Sequence, residues 1–416
     1  MSATGETATA ETRDVVPAGP GAGPGVDRLS PRDALRRLAE GELGSLRVLL
    51  VLAIIWTIFT IANDRFLTAV NLTNLTLQIA AVGTISIGVV LVLLLGEIDL
   101  SVGAVSGLAG AVTASLSVKA GWGAGPAILA GLAAGAAIGL LQGTVATRLG
   151  IPSFVVTLAG LLGWQGALLA VLGDEGTINL TDPGIINLAG TFLEDALGWL
   201  VAAGSIAAIV LLSLGSRRRR QAAGLELEPL PIVGLRVGAS AAAIVAAVAI
   251  VNADRGVPLA ALILVGLVIL LHVVMTKSTF GRHVYAVGGN AEAARRAGIA
   301  VARTRTLVFV LCSTLAAAGG IMAAARLLAV NQSSGSGDLL LLAIAGPVIA
   351  GVSLFGGRGS VWGALLGALV IGSISNGMDL LALESSVKFM VTGGVLLAAV
   401  ALDALGRQRR QAHGRL

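Results

Sequence analysis

The chain has 416 residues, of which 56% are hydrophobic and 12% charged, with a formal net charge of +5. A soluble domain carries roughly a quarter charged residues, so this composition excludes water as the solvent of most of the surface and points to lipid. A single cysteine, Cys312, and the scattered His272, His283 and His413 exclude an internal disulfide framework and argue against a metal cluster.

Residues 1–45 are rich in Ala, Gly, Pro, Glu and Arg. They predict a disordered cytoplasmic tail, followed by a short helix over 30–42 that Ser30 caps with Pro31 at its first position. The tail is not expected to be a secretory signal, because the first apolar run starts only near residue 47.

Twelve apolar segments follow, at about 47–62, 78–96, 102–118, 124–146, 153–172, 198–214, 234–251, 258–275, 306–327, 339–356, 360–378 and 386–404. Most reach the ~17–25 residues that a helix needs to cross about 30 Å of hydrocarbon. The expected fold is an all-α polytopic membrane protein with about 10–12 transmembrane helices in one domain over 46–405. The Gly-broken stretch 339–378 leaves room for a re-entrant segment. An acidic outer loop over 173–197 serves either as a solvated connector or as an outer docking surface.

The basic residues orient the spans. With the N-terminus inside, all but five of the 28 Lys and Arg fall on the cytoplasmic side, the exceptions being Arg65, Lys119, Arg255, Arg326 and Lys388. That is the positive-inside bias. It places both termini, the basic loop 215–233, the loop 276–305 and the basic tail 406–416 in the cytoplasm. Charge spread over many short loops also argues against nucleic acid as a partner.

Glycines recur at four-residue spacing, at Gly131, Gly135, Gly139 and Gly143 and at Gly363 and Gly367, which lets helix backbones approach closely in lipid. Two places read as broken helices. One is Gly96-Glu97-Ile98-Asp99-Leu100-Ser101 and the other Phe355-Gly356-Gly357-Arg358-Gly359-Ser360. The runs after them, Ser101-Val102-Gly103 and Ser360-Val361-Trp362-Gly363, hint at an internal repeat of the kind many transporters contain. Glu97, Asp99, Ser101, Gly356, Gly357 and Arg358 are candidates for gating or lining a pathway. The plainer reading of Glu97 and Asp99 is a cytoplasmic turn in which Asp99 or Ser101 caps the next helix.

Within 276–305, Asn290 to Gly298 carries the punctuation of a complete short helix. Asn290 stands at the N-cap, Glu292 in the first turn, Arg295 and Arg296 in the last, and Gly298 at the C-terminal cap. Gly288-Gly289 allows a sharp turn before it. Two helical turns are marginal in water alone, so the element needs a surface to rest on. It could couple the membrane domain to a soluble motor. No P-loop is present, since Lys277 is preceded by Thr276 where glycine is required. Any ATP hydrolysis is therefore expected in another chain, and this one is not expected to be an enzyme.

These motifs resemble the permease subunits of bacterial ABC monosaccharide importers, the ribose/xylose/arabinose/galactose family. The resemblance rests on Gly96 to Gly103, Pro152 to Leu158, Thr279 to Arg282, Tyr285 to Asn290, Ala293 to Arg295, Gly298-Ile299 and Gly356 to Ser360, and covers about 78–172 and 257–405. Arg217 to Arg220 with the extra spans around them, and Glu97 in its motif, resemble the xylose-type members.

The resemblance implies a type II ABC importer permease fold with an inverted repeat, placed in the bacterial inner membrane. It also implies a permease homodimer, cytoplasmic ABC ATPase subunits that hold ATP and Mg, and an extracytoplasmic sugar-binding protein, with no cofactor in this chain. Gly281, Arg282, Gly288, Gly289, Asn290, Glu292, Ala293, Ala294, Arg295 and Gly298 would then form the ATPase-docking set. The expected cargo is a monosaccharide, D-xylose or another pentose, passing Gln142, Trp164, Gln165, Asn331, Ser375 and Asn376. Each of these six could equally bond one helix to another. The rival readings are a branched-chain amino-acid or nucleoside permease of the same superfamily and a stand-alone ion-coupled carrier. A near absence of carboxylates inside the spans disfavours the carrier.

Overall fold

The computed structural model describes residues 48–225 and 227–412. The expected tail over 1–45, with its short helix, lies outside the described residues. All twelve apolar segments become helices. Eight are long and apolar enough to cross a membrane by length and composition, and four are shorter.

In chain order the first helices are α1 (Val48–Ala62), α2 (Ala69–Leu94), α3 (Val102–Val118), α4 (Ala124–Arg148) and α5 (Ser153–Leu172). The loop 173–197 contains secondary structure of its own. It folds β1 (Thr177–Asn179), α6 (Pro183–Gly190) and β2 (Phe192–Leu193). Then come α7 (Asp195–Ala222), α8 (Leu230–Asn252), β3 (Val257–Pro258), α9 (Leu259–Lys277), α10 (Thr279–Gly289), α11 (Ala291–Arg296) and α12 (Val301–Leu327). The chain ends with β4 (Ala329–Asn331), α13 (Gly337–Ile349), α14 (Trp362–Leu380) and α15 (Ser385–Ala412). Two antiparallel ribbons tie loops together at one end of the bundle. Ile178 of β1 faces Val330 of β4, and Phe192 of β2 faces Pro258 of β3.

The helix α2 starts earlier than hydropathy suggests. Thr68 Oγ1 accepts the Asn71 N–H, and the polar first turns carry Asn71, Thr73, Asn74 and Gln78, which conceal the helix from an apolar scan. Asn71 and Asn376 exchange amide hydrogen bonds at 2.8 and 3.0 Å and join α2 to α14. Such bonds between membrane helices contribute about 0.6 kcal/mol on average and up to ~1.7 kcal/mol. Asn376→Leu is expected to lower stability by about 1 kcal/mol, since Asn71 is left buried without this partner. A drop in the thermal midpoint of the purified chain checks it.

The centre of the bundle is α2, 89% of whose apolar window is buried, with α12 at 67%. The glycine ladder of α4 lies along α12. A Cβ on Gly135 would stand 2.6 Å from the Ser313 carbonyl, and one on Gly143 2.9 Å from the Thr306 Cα. Gly367 meets the backbone of Gly346 in the same way, bringing α14 against α13. In contrast, the apolar windows of α7 and α8 are only 11% and 6% buried, and the two helices pack on each other as a hairpin.

The Gly-broken stretch 339–378 is interrupted between α13 and α14, and the chain also leaves helix between α12 and α13. The segment 331–336 runs alongside α3, with the Ser334 carbonyl against Gly107 and the Gly335 carbonyl against Gly103. The helix that follows, α13, has 13 residues, which at ~1.5 Å per residue is too short to span. It starts beside the first turns of α3. Such discontinuous helices are tolerated where they line a cavity.

Candidate functional site

The loop 276–305 is built from local signals. The Ser278 hydroxyl accepts the Gly281 N–H at 3.1 Å and caps α10. Along α10, Val284 and Val287 are buried, while Arg282 and His283 are exposed. The Asn290 side chain accepts the Ala293 N–H at 2.9 Å and starts α11. Gly298, with φ of 83°, follows it. Glu292 pairs with Arg295 and Arg296 at 2.9 and 3.3 Å, exposed pairs that contribute little stability.

The expected turn at Gly288-Gly289 needs correction. The helix α10 continues through Gly289, and the chain turns at Asn290, whose backbone is extended. Gly288 is required instead by packing. A Cβ there would overlap the Leu94 carbonyl and stand 2.8 Å from the Gly357 nitrogen. The docking set therefore splits in two. Gly281, Gly288 and Ala294 pack against the bundle, whereas Arg282, Gly289, Asn290, Glu292, Ala293, Arg295 and Gly298 are exposed. Only the second group is open to a partner.

Three backbones meet beneath α10. The Gly357 N–H donates to the Leu94 carbonyl at 2.9 Å. A Cβ on Gly356 would lie 2.6 Å from the Gly288 carbonyl and 2.8 Å from the Gly96 nitrogen. Gly356 and Gly357 have φ of 84° and 70°, a region that glycine enters freely. The Tyr285 hydroxyl donates to the Gly359 carbonyl at 3.0 Å, and burial raises its pKa above the usual phenol range. Arg358 is exposed.

The loop between α2 and α3 is pinned by its carboxylates. Glu97 accepts the Ser153 hydroxyl at 2.6 Å and pairs with Arg305, on the first turns of α12, at 3.1 Å. Asp99 is 4% exposed. One of its oxygens accepts the Ser101 N–H at 2.8 Å and the Ser101 hydroxyl at 2.7 Å, and the Cys312 thiol of α12 lies against the same carboxylate. Gln142 donates to the Ser101 hydroxyl at 2.9 Å, and Thr157 accepts the Leu100 N–H at 3.1 Å.

The simple capping role is not seen. Ser101 occupies the cap position of α3 without a side-chain cap bond, because its hydroxyl is taken by Asp99 and Gln142. Asp99 in turn is spent on Ser101 under α12. Both side chains hold the loop in place of the helix end.

The other end holds a cavity of about 420 Å³ between α2, α3, α12 and the segment 331–336, within the ~300–1,000 Å³ of small-molecule sites. Gln78, Ser106, Asn331, Ser333, Ser334 and Ser336 supply hydroxyl and amide groups. Small and aliphatic residues from α2, α12 and α13 complete the walls, and Arg326 is the one cation among the described lining residues. The Asn331 side-chain oxygen accepts the Ser333 N–H at 3.0 Å and its hydroxyl at 2.8 Å, which fixes the shape of this wall.

Of the six expected pathway residues, only Asn331 lines the cavity. Gln142 belongs to the Asp99 cluster and Asn376 to the pair with Asn71. Gln165 braces the stretch before α13 by donating to the Gln332 carbonyl at 2.9 Å. Trp164 packs on α5 beside Gly160, and Ser375 is half-buried on α14. Sequence reasoning missed Gln78, Ser106, Ser333, Ser334 and Ser336. The polar run Asn331 to Ser336, between two apolar helices, is the signal that could have found three of the five.

Comparison with known proteins places these sites in context. A family model described as "Branched-chain amino acid transport system / permease component" matches residues 71–400. The xylose transport system permease protein XylH of Haemophilus influenzae is 36% identical over 364 residues, covering 87% of this chain and 96% of the relative. XylH of Escherichia coli is 36% identical over 369 residues, with 88% and 93% covered. The ribose import permease protein RbsC of Escherichia coli is 32% identical over 369 residues, with 88% and 96% covered. No solved structure matches the chain.

Proposed function

Because the chain belongs to the family of branched-chain amino acid transport system permease components, we propose that it is the membrane subunit of an ATP-driven importer of D-xylose or another pentose. The carrying observation is the chemistry of the cavity. Hydroxyl and amide groups alternate with small apolar walls, which suits a neutral polyol that both donates and accepts hydrogen bonds. An amino-acid zwitterion would call for a charged partner at each of its ends, and the described lining offers Arg326 but no carboxylate. The identity to xylose permeases over most of both chains supports the same cargo.

In this reading the chain is a multi-pass protein of the inner membrane with both termini in the cytoplasm. A cytoplasmic ATPase seats on the exposed residues of α10 and α11. A sugar-binding protein delivers cargo to the end that carries the β1–β4 ribbon, and two permease copies complete the pathway. ATP binding by the partner moves α11, and the movement passes through Arg305 and Glu97 to the loop before α3, whose Ser106 faces the cavity.

The test is uptake of radiolabelled xylose into proteoliposomes that contain this chain with its cognate ATPase and binding protein, with and without ATP. ATP-dependent xylose uptake that excess leucine does not compete with is the expected result. Uptake of leucine in its place, or of xylose without ATP, would sink the reading. Gln78→Ala and Asn331→Ala are each expected to slow uptake at sugar well below saturation by about three- to tenfold, the effect of losing one hydrogen bond of ~0.5–1.5 kcal/mol.

A further inference from the structure

The hairpin of α7 and α8 takes no part in the coupling site or the cavity, yet it carries the densest charge of the described chain. Its helix α7 has 28 residues, about 42 Å at ~1.5 Å per residue, which exceeds the ~30 Å of a bilayer core. Its apolar run ends at Leu214, and Arg217 to Arg220 follow on the last turns. Leu211, Leu212, Leu230 and Leu235 are all more than 60% exposed, as expected of a surface in lipid. By chain parity this end of the hairpin lies on the same face as α10 and α11.

Between the two helices at this end lies a groove of about 290 Å³. Arg217 and Arg220 of α7 and Arg236 of α8 line its polar part, and Leu212, Val233 and Val237 line its apolar part. Arg217 donates to the Glu228 carbonyl at 2.6 Å, and Arg236 pairs with the Glu228 carboxylate at 3.4 Å. One residue of the linker thus holds guanidinium groups from both helices and shapes the groove. Over 215–237 the sequence carries Arg217, Arg218, Arg219, Arg220 and Arg236 against Glu226 and Glu228, an excess of positive charge that Glu228 does not cancel. No other described helix lines the groove.

We propose that this groove binds the phosphate headgroup of an anionic phospholipid. Guanidinium groups bind phosphate oxygens in bidentate fashion, and basic pockets between membrane helices recognise acidic headgroups. The apolar part separates a lipid from free phosphate, because Leu212, Val233 and Val237 suit the start of the acyl chains. A second copy of the same surface is disfavoured, since a two-fold contact would set arginines against arginines.

The experiment compares retention of phosphatidylglycerol and phosphatidylcholine by the full chain in detergent, read by native mass spectrometry and by thermal unfolding. Wild type is expected to retain phosphatidylglycerol about tenfold better, because its headgroup carries a net negative charge and that of phosphatidylcholine does not. Arg217→Gln/Arg220→Gln/Arg236→Gln should bring that preference close to one, while Arg303→Gln, an exposed charge on the same face, should leave it unchanged. The single variant Arg220→Gln keeps both contacts to Glu228 and should lose part of the preference even if the triple variant does not fold. Equal retention of the two lipids, an unaltered preference in Arg220→Gln, or equal protection by inorganic phosphate would overturn the proposal.

Discussion

Gly289→Arg is expected to abolish ATP-driven uptake while the chain stays folded, and Gly288→Val to prevent normal folding altogether. Adjacent glycines differ this much because of what faces them. A Cβ at Gly289 meets nothing within 4 Å, so an arginine there projects from the end of α10 into the space a partner would occupy. A Cβ at Gly288 overlaps the Leu94 carbonyl, which already accepts the Gly357 N–H. Backbone opposes backbone at that point, and no side chain can rotate away. Forcing it open separates α10 from the loops 95–101 and 353–361 together. Side-chain overpacking alone typically costs about 1–3 kcal/mol, and backbone that cannot yield should cost more. Uptake in proteoliposomes, set beside the thermal midpoint of each variant, separates the two. Wild-type uptake by Gly289→Arg would remove α10 from the docking surface.

What the sequence revealed follows the range of the interactions. The apolar segments, the Asn290 cap and Gly298 are local, fixed by neighbours within a helical turn or by lipid, and their positions needed no tertiary knowledge. The pairing of Asn376 with Asn71 spans 305 positions, so a polar residue in a span could be read equally as pathway or as helix contact. The cavity is less legible still, because Gln78, Ser106 and Asn331 come from separate elements and meet only when α3 packs beside the segment 331–336. Gly288 shows a third kind of limit. Its residue type signals a constraint, but turn and close approach both demand glycine, and only the Leu94 carbonyl decides between them.

Glu97→Arg is expected to uncouple the protein, so that stimulated ATP hydrolysis by the partner continues while uptake falls by about tenfold or more. Glu97 joins two elements at once through Ser153 of α5 and Arg305 of α12. Arg305 lies just beyond α11, so it follows the coupling loop. Glu97 lies just before Asp99 and Ser101, so it follows the cavity wall on α3. Reversing the charge places two guanidinium groups face to face and removes the acceptor from Ser153. Couplings between distant sites run at ~1–3 kcal/mol, or about 5- to 150-fold, and a tenfold loss lies within that range. The double reversal Glu97→Arg/Arg305→Glu restores the ion pair without the Ser153 bond and should recover part of the uptake. If the double variant is no better than Glu97→Arg, the pair acts only as local support and does not transmit the movement of α11. Recovery would identify the contact as a two-state element that both sites bias, which is the physical warrant that an account of coupling requires.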